Sequence, residues 1–338
     1  MSGVRCTNRG VFIIILLITA FVLDGCSSAE IWMPFSDYSQ NIRSSKGRAT
    51  VIEHTDYDDR YPGFANDLCV FSGDVSANDH HTISSTSALL IDVNESKVLF
   101  SENAFERRYP ASTTKILTAV VALKYLTPES VIKCTESVEN VTVPGAVLLG
   151  LKSGDTMTLD QALHLCLLSS YNDVSIAIAE AVSGSVEEFA DLMDREALAL
   201  GCTGSDFENP SGLPDPGHYT TAYDLYLIFN EAIKDPFLLE VMQTNEYSTV
   251  IHTAAGSDKQ VGSKNTNGYF RGAYTAPSNI TILGGKTGTT DEAGHCLMLL
   301  IRDTTSKPYI AIVLGSDTTD DLYNEMSQML NLCEVKVN

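Results

Sequence analysis

Two hydrophobic periods succeed one another along this chain in an order that leaves few folds open. Residues 88–93 and 97–100, joined by Asn94-Glu95-Ser96, are rich in strand formers and predict a two-stranded hairpin. Helical spacing then takes over. An apolar run follows Lys115, and Thr158-Leu159-Asp160-Gln161 is a capping box that opens a helix through Leu168. A second helix follows through residues 174–182, Ser185-Val186-Glu187-Glu188 caps a third, and Thr220-Thr221-Ala222-Tyr223-Asp224 starts a fourth that runs to about Lys234. Strand composition returns at residues 247–251, 280–283, 296–301 and 309–314, before a last helix over 318–332. Strands, then helices, then strands with one helix predict an α+β fold, in which a helical subdomain at about 156–243 is inserted into an antiparallel sheet.

At the join between the first hairpin and the helices stands Tyr109-Pro110-Ala111-Ser112-Thr113-Thr114-Lys115. Pro110 suits the turn before a helix, so Ser112 falls in the first helical turn and Lys115 one turn later, on the same face. A hydroxyl with an amine stacked behind it, at a helix start that favours negative charge, is what a serine nucleophile needs when lysine acts as its base. The plainer reading is a helix cap beside a solvated lysine, because Ser-x-x-Lys is common. The choice between them rests on the rest of the chain.

The 338 residues suffice for one large domain or two smaller ones. A formal net charge of -21 argues against nucleic acid as a partner and against adsorption to an anionic membrane face. Attachment to a membrane would therefore be covalent or apolar. Arg5 and Arg9 precede an apolar core at residues 11–23, too short to span comfortably and flanked as a secretory signal is. Leu23-Asp24-Gly25-Cys26 resembles a bacterial lipobox, with Cys26 as the lipidated residue and Asp24 as a departure from the usual small uncharged side chain. Ordinary signal cleavage and an uncleaved anchor are the alternatives.

Residues 27–81 read as an acidic, flexible stalk, with local order from Gly63 to Val75. The folded domain is then expected over 82–338. Of eight cysteines, Cys6 and Cys26 belong to the signal, and the other six lack Cys-x-x-Cys or histidine partners at metal spacing. No metal site or other cofactor is expected. His164, inside an apolar helix face, reads as a packed histidine.

Three segments complete the constellation: Ser112-Thr113-Thr114-Lys115, Ser170-Tyr171-Asn172 and Lys286-Thr287-Gly288. In that order, at a helix start, an interhelical loop and a glycine-flanked strand, they resemble the penicillin-recognising serine enzymes, whose motifs are Ser-x-x-Lys, Ser-x-Asn and Lys-Thr-Gly. Asn209-Pro210-x-Gly212-Leu213, His218-Tyr219-Thr220-Thr221-Ala222-Tyr223-Asp224 and Ala293-Gly294 narrow the likeness to the low-molecular-mass D-alanyl-D-alanine carboxypeptidases, over about 82–333.

The resemblance implies a β-lactamase/transpeptidase-like fold, peptidoglycan stem peptides as substrates and β-lactam antibiotics as acylating inhibitors. It implies Ser112 as nucleophile and Lys115 as its base, kept neutral by burial and by the charge of Lys286. It implies Ser170 as a proton relay, and Asn172 as a donor that holds the substrate amide and Lys115. Lys286 and Thr287 would bind the terminal carboxylate, Gly288 would leave room for substrate along the strand, and the N–H groups of Ser112 and Thr289 would form the oxyanion hole.

Relatives commonly carry an arginine for the carboxylate where Lys307-Pro308-Tyr309 stands here, and bulky Tyr171 replaces a small residue that would leave a wider cleft. The chain ends at Asn338 with room for neither the C-terminal β-domain nor the amphipathic tail of many relatives, which favours anchoring through Cys26 at the outer face of the cell membrane. Rival readings are a β-lactamase, for which Glu208 lies in the right region outside a Glu-x-x-Leu-Asn loop, and a sensor that binds β-lactam or peptide without turnover.

Overall fold

The computed structural model describes residues 68–75 and 87–333; the expected signal segment with Cys26 and most of the acidic segment lie outside the described residues. A five-stranded sheet runs in the order β2-β1-β9-β8-β7, antiparallel throughout. Its strands are β1 (Ser87–Asp92), β2 (Lys97–Glu102), β7 (Ile280–Thr290), β8 (Gly294–Asp303) and β9 (Pro308–Ser316). The N-terminal hairpin thus pairs with the last strand, Leu89 opposite Ile312 and Leu90 opposite Ala311. Both faces of the sheet are covered, which is why its strands read as unbroken apolar runs. Leu89, Ile91, Met298 and Ile312 pack into the helical side, while Leu90, Leu299, Val313 and Phe100 pack beneath α7 (Thr319–Leu330).

Between β2 and β7 come α1 (Lys115–Tyr125) and then, within the insertion expected at about 156–243, α2 (Leu159–Leu168), α3 (Asn172–Ser183), α4 (Val186–Ala199), α5 (Ala222–Ala232) and α6 (Pro236–Gln243). Every residue of α1 from Lys115 to Ala122 is buried, so this helix is the core element around which the others pack. The capping box of α2 is present as the sequence predicts, with Thr158 accepting from Gln161 N and Gln161 accepting from Thr158 N. His164 stacks on Tyr247 with ring centroids 4.0 Å apart, a packed histidine. Helix α6 goes unread in the sequence although its start is signalled by Asp235-Pro236, where Asp235 caps Phe237 N at 2.8 Å.

A second sheet, β3-β4-β5-β6, comprises Val131–Lys133, Thr156–Thr158, Glu246–His252 and Asp258–Lys264. Strand β6 carries one apolar residue, Val261, on a mostly exposed ribbon, so no hydrophobic period marks it. Residues 68–75, which the sequence reading leaves within the stalk, dock on the domain. Cys69 is buried and its N–H donates to Tyr226 Oη at 2.8 Å, while Asp74 accepts from Asn103 N at 3.0 Å. All six described cysteines are buried free thiols.

Candidate active site

Ser112 lies in a tight 3-10 turn, Ala111–Thr114, that leads into α1 rather than in the α-helix itself. Thr113 closes the turn by donating from Oγ1 to Pro110 O at 2.7 Å, and Ala111 is held at φ 47°. A left-handed alanine is strained by roughly 1 kcal/mol or more, and the surroundings must hold it there. Gly212 is the part that does so, lying so close that an added Cβ would stand 1.7 Å from Ala111 O.

Lys115 is fully buried, and its Nζ contacts Ser112 Oγ at 3.0 Å, Asn172 Oδ1 at 2.8 Å and Ser211 O at 2.6 Å. Three acceptors match the three hydrogens of an ammonium. When one proton leaves, Asn172 and Ser211 O retain the two remaining N–H bonds and the lone pair is left for the Ser112 hydroxyl. Burial pushes the Lys115 pKa down to about 8. Lys286 is 1% exposed and donates to Ser170 Oγ at 3.1 Å and to Thr287 O at 3.0 Å. Burial first, and then repulsion from Lys115, pushes Lys286 down to about 7. The repulsion is mutual, so a charge on either buried amine disfavours the proton on the other. The two amines titrate as a pair that sheds a proton near neutrality.

Asn172 differs in part from its expected role. It accepts from Lys115, while its Nδ2 donates to Val147 O at 3.2 Å on the cleft wall. That wall is fixed by Asp173, whose carboxylate accepts from the N–H groups of Leu149, Gly150 and Leu151 at 2.8–3.1 Å. Asp173 and Ser211 go unmarked in the sequence, because an acid in the first turn of a helix is ordinary and a loop serine offers only its backbone carbonyl. The loop that offers Ser211 O is pinned by Asn209 Oδ1, which accepts from the N–H groups of Ser211, Gly212 and Leu213. His218 then ties this loop to α1's start: it accepts from Glu208 N at 3.1 Å through Nδ1, so its Nε2 is the donor to Thr114 Oγ1 at 2.9 Å.

The edge strand β7 passes directly beside the nucleophile. A Cβ on Gly288 would lie 2.9 Å from Ser112 N and 3.0 Å from Pro110 O, so this glycine is required first by the close approach of strand and turn. Thr287 Oγ1 is 2.6 Å from Thr266 Oγ1, and Thr289 is exposed with its Oγ1 3.3 Å from His295 Nδ1. Two cavities meet at Ser112. One, of about 460 Å³, is lined by Ser170, Thr287, Thr289 and Arg271; the other, of about 660 Å³, by residues 143–147, Asn172, Leu213 and Glu292. Ser112, Lys115, Ser170, Asn172, Lys286, Thr287, Gly288 and Thr289 are therefore brought to one cleft.

Three side chains weighed in the sequence stand apart from it. Tyr171 turns to Gly262 O at 3.3 Å and lines neither cavity, so it does not narrow the cleft. Lys307 pairs with Asp92 at 2.7 Å and Glu95 at 2.6 Å, at the end of the sheet where Pro308 faces Arg302, far from the end where His295 faces Thr289. Glu208 is exposed and lines neither cavity.

Sheet, helical insertion and a buried lysine on a serine are the arrangement of the penicillin-recognising serine enzymes. The chain belongs to the peptidase S11 family, D-alanyl-D-alanine carboxypeptidase, which matches residues 74–318. It is 33% identical over 248 residues to the D-alanyl-D-alanine carboxypeptidase DacF of Bacillus subtilis, covering 72% of this chain and 61% of that protein. It is 32% identical over 251 residues to DacC of Escherichia coli, covering 72% and 59%. The chain thus spans about three fifths of the length of these curated relatives. Among solved structures it is similar to the Streptomyces K15 DD-transpeptidase, with a TM-score of 0.69 and 26% identity over 75% of this chain and 98% of that one.

Proposed function

We propose that this protein is a serine-type D-Ala-D-Ala carboxypeptidase that removes the terminal D-alanine from peptidoglycan stem pentapeptides and is acylated by penicillins. The observation that carries this reading is the position of Lys115 Nζ, bonded at once to Ser112 Oγ, Asn172 Oδ1 and Ser211 O in a fully buried site. Neutral Lys115 takes the Ser112 proton as Oγ attacks the carbonyl carbon between the two D-alanines. The oxyanion rests on the N–H groups of Ser112 and Thr289. Loss of one such donor typically costs on the order of 100- to 1000-fold in rate. Collapse breaks the C–N bond, and the departing nitrogen takes a proton through Ser170 Oγ, which Lys286 holds 3.1 Å away. Water then attacks the ester, Lys115 again takes the proton, and Ser112 is regenerated.

Substrate lies antiparallel to edge strand β7, as an added strand would. The lipobox-like Cys26 and the preceding apolar core support an extracytoplasmic enzyme tethered to the cell membrane by lipid. The charge of -21 supports a protein without nucleic-acid partners. The exposed position of Glu208 speaks against rapid hydrolysis of β-lactams by a class A route.

The test is intact-mass and amino-acid analysis of a pentapeptide ending in D-Ala-D-Ala, with and without penicillin. Wild type is expected to release D-alanine and to carry a long-lived penicilloyl group, and Ser112→Ala to do neither. A wild-type protein that forms neither product sinks the reading. The likeness to a DD-transpeptidase favours a second reading, transfer of the acyl group to an amine. A cross-linked product that outcompetes hydrolysis when an acceptor amine is added would select it.

A further inference from the structure

We infer that Arg271 supplies the fixed positive charge that binds the substrate's terminal carboxylate, in the half of the cleft beside Thr287. This inference rests on the carboxypeptidase reading. Of the two cavities that meet at Ser112, the one of about 460 Å³ holds Thr287 and the other does not, so the carboxypeptidase reading places the leaving D-alanine there. A carboxylate placed there needs a cation. Lys286 does not line that cavity: it is 1% exposed, and its Nζ is occupied by Ser170 Oγ and Thr287 O. Its charge is also unsteady, because burial and Lys115 draw its pKa down to about 7. Lys307 is committed to Asp92 and Glu95 at the remote end of the sheet.

Among the described residues, Arg271 is the one permanently charged side chain lining this cavity. It is exposed, and its guanidinium makes no ion pair with the described residues although the chain carries a net charge of -21. A guanidinium cannot lose its proton in a protein, so its charge is constant where that of Lys286 is not. Its fork of N–H donors also matches both oxygens of a carboxylate.

The turn that carries it is built rather than loose. Arg271 N donates to Asn267 O at 3.1 Å, and Ala273 N to Gly268 O at 2.9 Å. Tyr274 stacks on Tyr323 of α7 with centroids 4.0 Å apart, and Gly268 N donates to Tyr323 Oη at 2.5 Å. Asp320, in the first turn of that helix, is engaged by the Tyr274 hydroxyl. A cation on a backbone already fixed loses less conformational freedom when a ligand docks.

The experiment compares wild type, Arg271→Gln and Arg271→Lys on two peptides, one ending in D-Ala-D-Ala with its free carboxylate and one with the same end as a carboxamide. Arg271→Gln is expected to lower kcat/KM for the acid about 10- to 100-fold, mostly through KM, and to leave the amide within about twofold. Arg271→Lys should fall between, and thermal midpoints should match wild type. Equal losses on both peptides, or no loss on the acid, overturn the inference while wild-type release of D-alanine keeps the carboxypeptidase reading. If wild type releases no D-alanine from the acid, that reading falls and the inference falls with it.

Discussion

Gly212→Ala offers a sharp probe of how the site is held. An alanine there suffers two separable penalties. Gly212 has φ +78°, where an L-residue is disfavoured by roughly 1–2 kcal/mol. Its new Cβ would also lie 1.7 Å from Ala111 O and 2.8 Å from Thr114 Oγ1. Relief requires the Asn209–Leu213 loop and the nucleophile's turn to part by about 1 Å or more, and a misplacement of that size costs on the order of 100-fold in rate. The parting also carries Ser211 O away from Lys115 Nζ, which it contacts at 2.6 Å. Gly256 provides the control: its φ is +77°, and nothing lies within 4 Å of where a Cβ would stand. Gly256→Ala should therefore lower the thermal midpoint by a few degrees, about 2–4 °C per kcal/mol for a domain of this size, without touching acylation. The assay is the second-order rate of penicilloyl adduct formation on Ser112 by intact mass, alongside thermal melts of both variants. If Gly212→Ala stays folded and acylates within about threefold of wild type, loop and nucleophile are not coupled as the geometry requires.

Three further outcomes follow from the buried titratable groups. Acylation needs neutral Lys115, so its rate should rise with pH through a midpoint set by the coupled pair between about 7 and 8, and fall about tenfold per unit below it. A penicillin acylation rate that is flat from pH 5 to 9, on the order of four decades of proton activity, would remove Lys115 as base. The same lowered pKa values mean that the unfolded chain binds more protons than the folded one above about pH 8, so these lysines make stability rise with pH up to about 10. His218 is pushed down to about 4 by burial. The folded state then disfavours its proton: its contribution is full above the unfolded value near 6.5 and is lost as pH falls toward 4, on the order of 3 kcal/mol in all. Urea melts at pH 5 and 7 should show this loss in wild type and a smaller pH dependence in His218→Asn.

The arginine deepens the picture of how the cleft divides its charges. Lys115 and Lys286 sit close enough in a dry site to lower one another's proton affinity, which suits proton transfer. The same burial makes them poor permanent anchors for an anion. An exposed arginine on a braced turn takes that task without raising the cost of the buried pair. Base and anchor are thus separated by depth in the protein.

Much of this was legible in the chain. The alternation of strand and helix periods determined the α+β order, and the capping residues Thr158, Ser185 and Thr221 determined where helices start, because both signals are local. The three motifs determined which hydroxyls and amines are the candidates for the chemistry, since each carries its reacting group within a few residues. Strand β6 escaped because its residues bury little apolar surface in a regular period, and helix α6 because its eight residues hold only one short apolar repeat, Leu238, Val241 and Met242. What only the tertiary structure decided are the contacts between segments distant in sequence. Ser211 O meets Lys115 across 96 positions, Gly212 braces Ala111, and Lys286 points inward at Ser170 rather than outward at substrate. Arg271 reaches the cleft, and Lys307 does not, because pairing register and the stacking of Tyr274 on Tyr323 fix which end of the sheet each occupies. Side-chain chemistry is written residue by residue, whereas direction, depth and charge state depend on what the fold packs against them.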